Sequence, residues 1–263
     1  MDTLKSVFGF AITIGYCDER ILTGIKELKS GRIIPDRPNS EECQRLLADY
    51  NNDQDRHFGT LALYIGLRHG ELISLAWEDI DLKGGTMTVR RNITLSGDFK
   101  LPKTRSGVRT VNLLDPALDA LSRQRAITYM LAPVKVNVIQ EDNVTLVTES
   151  VRFVFSARIT ATRETGPNYS HVGIHEKWCA AVRRAGLRYR RPYQTRHTYA
   201  CWMLSAGVKP TFIAKQMGHA SAKEIYQTYG DWVSEHTGDQ LALLNTKLSS
   251  SAPYMPPKNI GKR

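Results

Sequence analysis

The stretch from Arg191 to Trp232 most constrains the fold of this chain, because glycine and proline divide it into short segments of helical periodicity. The spacing predicts a first helix from about Thr195 to Leu204, and Gly207 follows it. Proline suits the first turn of a helix, so a second helix is expected from Pro210 to about Met217. Arginine, histidine and tyrosine side chains are set among the apolar residues of this stretch, which indicates a functional site.

The last segment of this stretch carries two tyrosines. Ser221 is followed three residues later by Glu224, a capping-box pattern that predicts the start of a third helix. We expect this helix to end near Gly230 and to present Tyr226 and Tyr229 on one face.

The same stretch resembles the second signature of the tyrosine recombinases of the phage-integrase type. That signature reads H-x-x-R-H-T, then an apolar helix, then L-G-H, and then a tyrosine nine or ten residues later. The matching residues here are Tyr193, Arg196, His197, Thr198, Gly218, His219 and Tyr229. Tyr193 is the one departure, since it replaces the first histidine of the pattern.

Two upstream motifs extend the resemblance. The sequence GLRHGEL, which begins at Gly66, fits the family motif G-L-R-x-x-E-L, with Arg68 as its arginine. The sequence PKTRSGVRTVNLL, which begins at Pro102, fits the family's β-hairpin motif with a turn one residue shorter, and Lys103 is its lysine. Three motifs in the family's order make the resemblance specific, and it extends from about Pro35 to Leu244.

The resemblance implies an α+β, mostly helical catalytic domain with a small antiparallel β-sheet. It implies a site-specific recombinase that cuts and rejoins double-stranded DNA through a 3′-phosphotyrosyl intermediate, to integrate or excise a mobile element. The resemblance also implies that the protein acts as a homotetramer on paired DNA sites, with accessory DNA-bending factors as partners. It implies neither binding to a membrane nor a cofactor. The implied catalytic residues are Arg68, Lys103, Tyr193, Arg196, His219 and the nucleophile Tyr229.

These residue types suit metal-free cleavage of a phosphodiester. A tyrosine can attack phosphorus and keep the bond energy in a covalent intermediate. Arg68 and Arg196 can clamp a phosphate with planar donors that stay charged. Lys103 on a hairpin tip can protonate the leaving 5′-oxygen, and His219 can donate a hydrogen bond to the phosphate. The sequence lacks a carboxylate cluster typical of a two-metal nuclease, so we expect no metal.

Composition bounds the partners and the compartment. The formal charge of +10 over 263 residues favours a polyanion, either a nucleic acid or an anionic membrane surface. The four cysteines form no C-x-x-C pair, which indicates reduced thiols. No apolar run approaches the roughly 20 residues that span a bilayer, and the N-terminus has no signal-peptide pattern. We therefore expect a cytoplasmic protein, and the family resemblance implies bacterial or phage origin and association with the nucleoid.

The chain is predicted to divide into three parts. Residues 1–34 contain an amphipathic helix, with Leu4 and Val7 among its apolar positions, and the start of a linker. The linker runs from Ser30 to Ser40 and contains two prolines, a glycine and two arginines. In the resembling family a core-binding domain precedes such a linker, so we expect only its last helix here. Residues 35–245 form the catalytic domain, and residues 246–263 are expected to be a disordered tail.

Within the catalytic domain, helices are expected over residues 40–50, 58–64, 70–76, 118–130 and 176–185, with a last helix from Gln240. TMTVRRNITL and VRTVNLL predict the sheet, with Lys103 in the connecting turn. Residues 134–155 mix β-branched and charged residues and support no assignment.

A cluster of arginines precedes the Arg191–Trp232 stretch. The cluster consists of Arg183, Arg184, Arg188, Arg190 and Arg191. We predict that it contacts the DNA backbone, and the alternative is a solvated basic face. Two other functions stay open, an inactive DNA-binding remnant and an enzyme like a type IB topoisomerase.

Overall fold

The computed structural model describes residues 2–23, 36–102, 107–160 and 166–235, and the chain divides into two compact units, 1–33 and 34–263. The first unit contains helix α1 (Asp2–Thr13), on which the predicted apolar positions lie, and a 3-10 turn at Glu19–Leu22. Four predicted features fall outside the described residues: residues 30–35 of the linker, Lys103, the helix from Gln240 and the tail 246–263.

The second unit is mostly helical. Its helices are α2 (Ser40–Ala48), α3 (Asp53–Tyr64), α4 (His69–Ile73), α5 (Asp115–Thr128), α6 (Ala157–Thr160), α7 (His171–Arg184), α8 (Gln194–Ser205), α9 (Pro210–Met217) and α10 (Lys223–Glu235). Its strands are β1 (Ile80–Asp81), β2 (Thr86–Val89), β3 (Asn92–Ile93), β4 (Phe99–Lys100), β5 (Arg109–Asn112), β6 (Val134–Ile139) and β7 (Leu146–Val151).

Two small sheets lie in the described part of this unit. The first has the order β1-β2-β5, and the antiparallel pairing of β2 with β5 confirms the sheet predicted from their β-branched residues. Met87 opposes Val111 in this register, and both are buried, as expected when alternate residues point to one face. The second sheet has the order β3-β4-β6-β7, in which β4 and β6 are parallel. Its β6–β7 hairpin occupies the segment for which the sequence supported no assignment.

Two apolar cores position the site. The larger core joins α3, α4 and α5 to the first sheet through residues such as Leu61, Leu72 and Leu121, which are fully buried. The second core is formed by α8, α9 and α10, and Ile213 and Met217 are its fully buried members on α9. Burying side chains of this size contributes about 1.5–3 kcal/mol each, so the three short helices are stabilised mainly by one another.

Several helix ends differ from the predicted ones because local hydrogen bonds decide them. Asn39 caps α2, and its side chain forms a capping box with Glu42. Asn52 caps α3, so this helix begins at Asp53, five residues earlier than predicted. Helix α4 ends at Ile73, three residues short of the predicted end.

The predicted features of the third helix are partly wrong. Ser221 accepts a hydrogen bond from the amide of Lys223 rather than from that of Glu224, and α10 continues past Gly230 to Glu235. The two tyrosines do not share one environment, since Tyr229 is 3% exposed and Tyr226 is 56% exposed. A separation of three residues places two side chains about 60° apart around a helix, which suffices here to put one in the core and one outside it.

Candidate active site

The carboxylate of Glu71 organises two arginines from different elements. Arg68 directly precedes α4, and its Nη1 donates to Glu71 Oε1 at 3.0 Å. Arg109 on β5 donates from Nη2 to Glu71 Oε2 at 2.9 Å. Burial by itself raises the pKa of Glu71, but the hydrogen bonds and charges of Arg109 and Arg68 outweigh it and hold the pKa below its usual value. Glu71 is therefore ionised and fixes both guanidinium groups.

Arg196 on α8 is 1% exposed and joins three segments of the site. Its Nη1 donates to the carbonyl of Gly66 at 2.5 Å, and its Nη2 donates to the carbonyl of Met217 at 2.8 Å. Gly66 has a φ of +64°, and an added Cβ would lie 2.4 Å from the ring of Tyr199, so only glycine fits there. Arg196 thus holds the backbone two residues before Arg68 and two residues before His219.

His219 follows the end of α9, where Gly218 takes the left-handed conformation. Nη2 of Arg196 lies 2.8 Å from Nε2 of His219, and since arginine can only donate, Nε2 accepts. Burial and the charge of Arg196 lower the pKa of His219 to about 4. His219 is therefore neutral with its proton on Nδ1, which lies 3.7 Å from Glu224, beyond hydrogen-bond distance.

The charges of this cluster do not cancel. Burial lowers the pKa of Arg196, as do the nearby charges of Arg68 and Arg109, yet a guanidinium stays protonated in a protein. Arg68, Arg109 and Arg196 therefore surround the carboxylate of Glu71, which leaves an excess of two positive charges on these four residues. Arg68 keeps 42% of its side chain exposed, so the cluster is open to an anion from solvent. A phosphate group matches this excess.

Tyr229 on α10 contacts α8 through the residue that follows Arg196. Its hydroxyl lies 2.7 Å from Nδ1 of His197. Burial raises the pKa of the Tyr229 hydroxyl, whereas burial and the charge of Arg196 lower the pKa of His197. The phenol is therefore protonated and the imidazole neutral, so the hydroxyl donates and Nδ1 accepts.

Tyr193, at the position of the family histidine, immediately precedes α8 and is half exposed. Its ring meets the ring of His197 edge to face, with centroids 5.4 Å apart. On its other side it meets His69 at 6.2 Å, also edge to face. Tyr193 therefore approaches Tyr229 through His197.

The structure brings Arg68, Arg196 and His219 together, with Tyr229 one residue contact away, whereas Lys103 lies outside the described residues. The predicted DNA-contacting arginines fall into two groups. Arg183 and Arg191 are exposed. The others have protein partners in the described part of the chain: Arg184 binds the carbonyl of Asp49, Arg188 pairs with Asp36, and Arg190 pairs with Asp36 and Glu42.

Two site residues were not singled out from the sequence. Arg109 lies in PKTRSGVRTVNLL, the sequence that fits the family's β-hairpin motif, so the motif contained this arginine although no role followed from it. His197 was identified as part of R-H-T, but its contact with a tyrosine 32 residues later requires the packing of α10 on α8. Arg109 also donates from Nε to the carbonyl of Gln216 at 2.8 Å, which ties the sheet to α9.

Neither a metal centre nor a membrane span is found in the described ranges. Within them, no three His, Cys, Asp or Glu side chains are grouped as metal ligands would be. No helix in that part of the chain has both the length and the apolarity needed to cross a bilayer.

Known structures share this fold. A structure of the Tn1549 transposon integrase in complex with transposon right end DNA matches with a TM-score of 0.67 at 19% identity, over 92% of this chain and 77% of that chain. A lambda integrase dimer bound to a COC' core site matches with a TM-score of 0.59 at 16% identity, over 86% of this chain and 70% of that chain.

Sequence relatives place the chain more closely. It is 43% identical over 258 residues to "Putative defective protein IntQ" of Escherichia coli (strain K12), which covers 97% of this chain and 65% of that protein. It is 41% identical over 246 residues to the prophage integrase IntR of the same strain, which covers 94% of this chain and 59% of that protein. The chain thus spans less than two thirds of the length of either relative. The model of the phage integrase family matches residues 38–236, and on this match the chain belongs to that family.

Proposed function

We propose that this chain carries the catalytic domain of a site-specific DNA recombinase. It cuts and rejoins double-stranded DNA through a 3′-phosphotyrosyl intermediate and so integrates or excises a mobile element. The prophage relative IntR and the DNA-bound Tn1549 transposon integrase support this assignment. The protein acts on DNA in the cytoplasm, as a tetramer on two paired sites.

Each site residue has a role in this proposal. Arg68 and Arg196 bind the scissile phosphate, whose charge grows as phosphorus becomes five-coordinate. The excess of two positive charges around Glu71 matches the two negative charges of that transition state. His219 donates a hydrogen bond to a phosphate oxygen, Tyr229 attacks, and Lys103 protonates the 5′-oxygen.

The observation that carries the proposal is the position of Arg196. It binds the backbone beside Arg68 and the backbone beside His219, and it directly precedes the residue that contacts Tyr229. Residues far apart in the sequence, each in a recombinase motif, therefore meet around one buried guanidinium. Ion pairs made only for stability do not require a tyrosine hydroxyl beside such a cluster.

The test is formation of a covalent protein–DNA adduct on a nicked suicide substrate, in excess EDTA and without ATP. Tyr229→Phe should abolish the adduct. DNA binding should change little, because Tyr229 is only 3% exposed and the hydroxyl that the substitution removes is uncharged. Tyr226→Phe is the matched control on the same helix and should still form the adduct. A strict requirement for magnesium, or an adduct that survives in Tyr229→Phe and is lost in Tyr226→Phe, would contradict the proposal.

A DNA-binding protein without cleavage activity is the second candidate, and the name of the relative IntQ favours it. The same assay decides between the two. A wild-type chain that binds DNA and forms no adduct on a suicide substrate, with either arrangement of the nick, would select the inactive protein.

A further inference from the structure

We propose that His197 is the group that accepts the proton of Tyr229 when this tyrosine attacks DNA. The inference rests on the proposed function and deepens it, since it assigns the general base to the residue after Arg196. Tyr193, at the position of the family's first histidine, then serves as a positioning residue for His197.

The geometry of the pair carries the inference. Nδ1 of His197 lies 2.7 Å from the Tyr229 hydroxyl, within the reach that a general base needs. The two rings are tilted by 59° with centroids 5.7 Å apart, so the contact is made through the hydrogen bond rather than by stacking. Both residues belong to helices that share one core, and this packing fixes the donor against the acceptor.

The direction of the hydrogen bond supports a base. Burial is the main reason that the pKa of His197 is lowered, and the charge of neighbouring Arg196 adds to it. The imidazole is therefore neutral at physiological pH and has a free electron pair on Nδ1 for the phenol proton. Once protonated, the imidazolium would lie beside a site that holds an anionic phosphate, which stabilises it.

Charged or titratable side chains near His197 and Tyr229 come, among the described residues, from α8 and from the residues beside Tyr193. Arg196 and Cys201 lie on α8, and both of them, together with Tyr193, act on the charge of the Tyr229 hydroxyl. Tyr193 meets the edge of His197 at the start of α8, and His69 lies beyond Tyr193. Tyr193 meets the imidazole ring edge to face, so it can orient the base, and a neutral phenol is itself too weakly basic to receive the proton.

The proposed step balances as follows. The Tyr229 oxygen forms a bond to phosphorus, its proton moves to Nδ1 of His197, and the bond from phosphorus to the 5′-oxygen breaks. The 5′-oxygen takes a proton from the general acid, which the proposed function assigns to Lys103, and leaves as a hydroxyl. Religation runs the same transfers in reverse, so His197 then returns the proton to Tyr229.

The experiment measures single-turnover cleavage of a suicide substrate by the full chain and by His197→Gln and His197→Ala. We expect both variants to bind DNA within about twofold of wild type and to cleave about 100-fold more slowly, the lower end of general-base effects. The matched control is His175→Gln, because His175 is an exposed histidine on α7. This variant should cleave at the wild-type rate. Melting temperatures of all variants establish that they are folded.

Two further readouts separate a base from a merely structural residue. A fluorinated tyrosine of lower pKa at position 229 needs less help from a base, so it should restore at least tenfold of the lost rate in His197→Gln. The wild-type rate should fall as the pH drops through the pKa of His197, measured independently by NMR, because the protonated imidazole cannot accept. That acid limb should vanish in His197→Gln.

The outcomes distinguish this inference from the proposed function. If the wild-type chain forms no adduct, the proposed function fails. If the wild-type chain forms the adduct and both variants cleave at its rate, the function stands and the inference is wrong. A slow variant that fluorotyrosine does not rescue and that keeps the acid limb would show a structural role, which also overturns the inference. If both variants unfold, the wild-type protein still provides a test. An acid limb of the cleavage rate that does not coincide with the pKa of His197 measured by NMR would also overturn the inference.

Discussion

Glu71 is the residue on which the charge balance of the site depends, because it is buried against two guanidinium groups. Glu71→Gln removes the negative charge and leaves buried Arg109 without a counter-ion. We expect a loss of about 3 kcal/mol in the free energy of unfolding at pH 7, as is typical when one partner of a buried pair is removed. Chemical denaturation measures this loss.

A matched control for Glu71 is Glu78→Gln, because Glu78 pairs with Arg152 at the surface. Surface pairs contribute at most about 1 kcal/mol, so an equal loss in the two variants would contradict the role given to Glu71. The effect should also depend on pH. The pKa of Glu71 is lowered in the folded state, so its contribution is complete above the unfolded value of 4.5 and is lost as the pH falls through the folded pKa.

His219 should titrate far below an ordinary histidine. Its pKa is lowered from 6.5 to about 4 in the folded protein. Between these two values the unfolded chain binds a proton that the folded protein does not bind, so the folded state loses stability relative to the unfolded state. Its contribution is therefore complete above pH 6.5 and declines as the pH falls from there towards 4. NMR of the imidazole measures the pKa directly, and a value near 6.5 in the DNA-free protein would contradict the contact with Arg196.

At the scale of elements, the junction between α9 and α10 depends on a glycine. Gly218 ends α9 with a φ of +71°, and an added Cβ would lie 2.6 Å from Nη1 of Arg109. Gly218→Ala should therefore cost the roughly 1–2 kcal/mol of a left-handed alanine and a further 1–3 kcal/mol for displacing Arg109. Thermal and chemical denaturation measure the sum.

Gly85→Ala separates these two costs. Gly85 has a φ of +63°, but its added Cβ would meet only a side-chain carbon of Leu118 at 4.0 Å. It should therefore show the conformational cost alone. Equal losses at both positions would mean that Arg109 moves aside freely and does not tie the sheet to α9.

At the scale of the whole molecule, the charge of +10 should make DNA binding strongly dependent on salt. Arg183 and Arg191 are exposed, so replacing both by alanine should reduce the slope of log affinity against log salt by about two and leave stability unchanged. Arg190→Ala is the contrast, since Arg190 pairs with Asp36 and Glu42. It should lower the melting temperature, and an unchanged melting temperature would move Arg190 into the DNA-binding group.

Much of this molecule could be read along the chain. Local periodicity with glycine and proline predicted α8 and α9 nearly to their ends, and the β-branched residues of β2 and β5 predicted their pairing. The motifs identified the family and most residues of the candidate site. These signals are local, because helix spacing, turn chemistry and motif order are all properties of neighbouring residues.

Only the tertiary structure decided which side chains touch. The sequence could not show that Arg109 pairs with Glu71 or that Tyr229 rather than Tyr226 is buried. It also could not show that Arg196 donates hydrogen bonds to the carbonyls of Gly66 and Met217. It also could not connect His197 with Tyr229. These contacts join residues that are 21 to 130 positions apart, or depend on which face of a helix meets its neighbours. Packing decides them, and no local preference encodes packing.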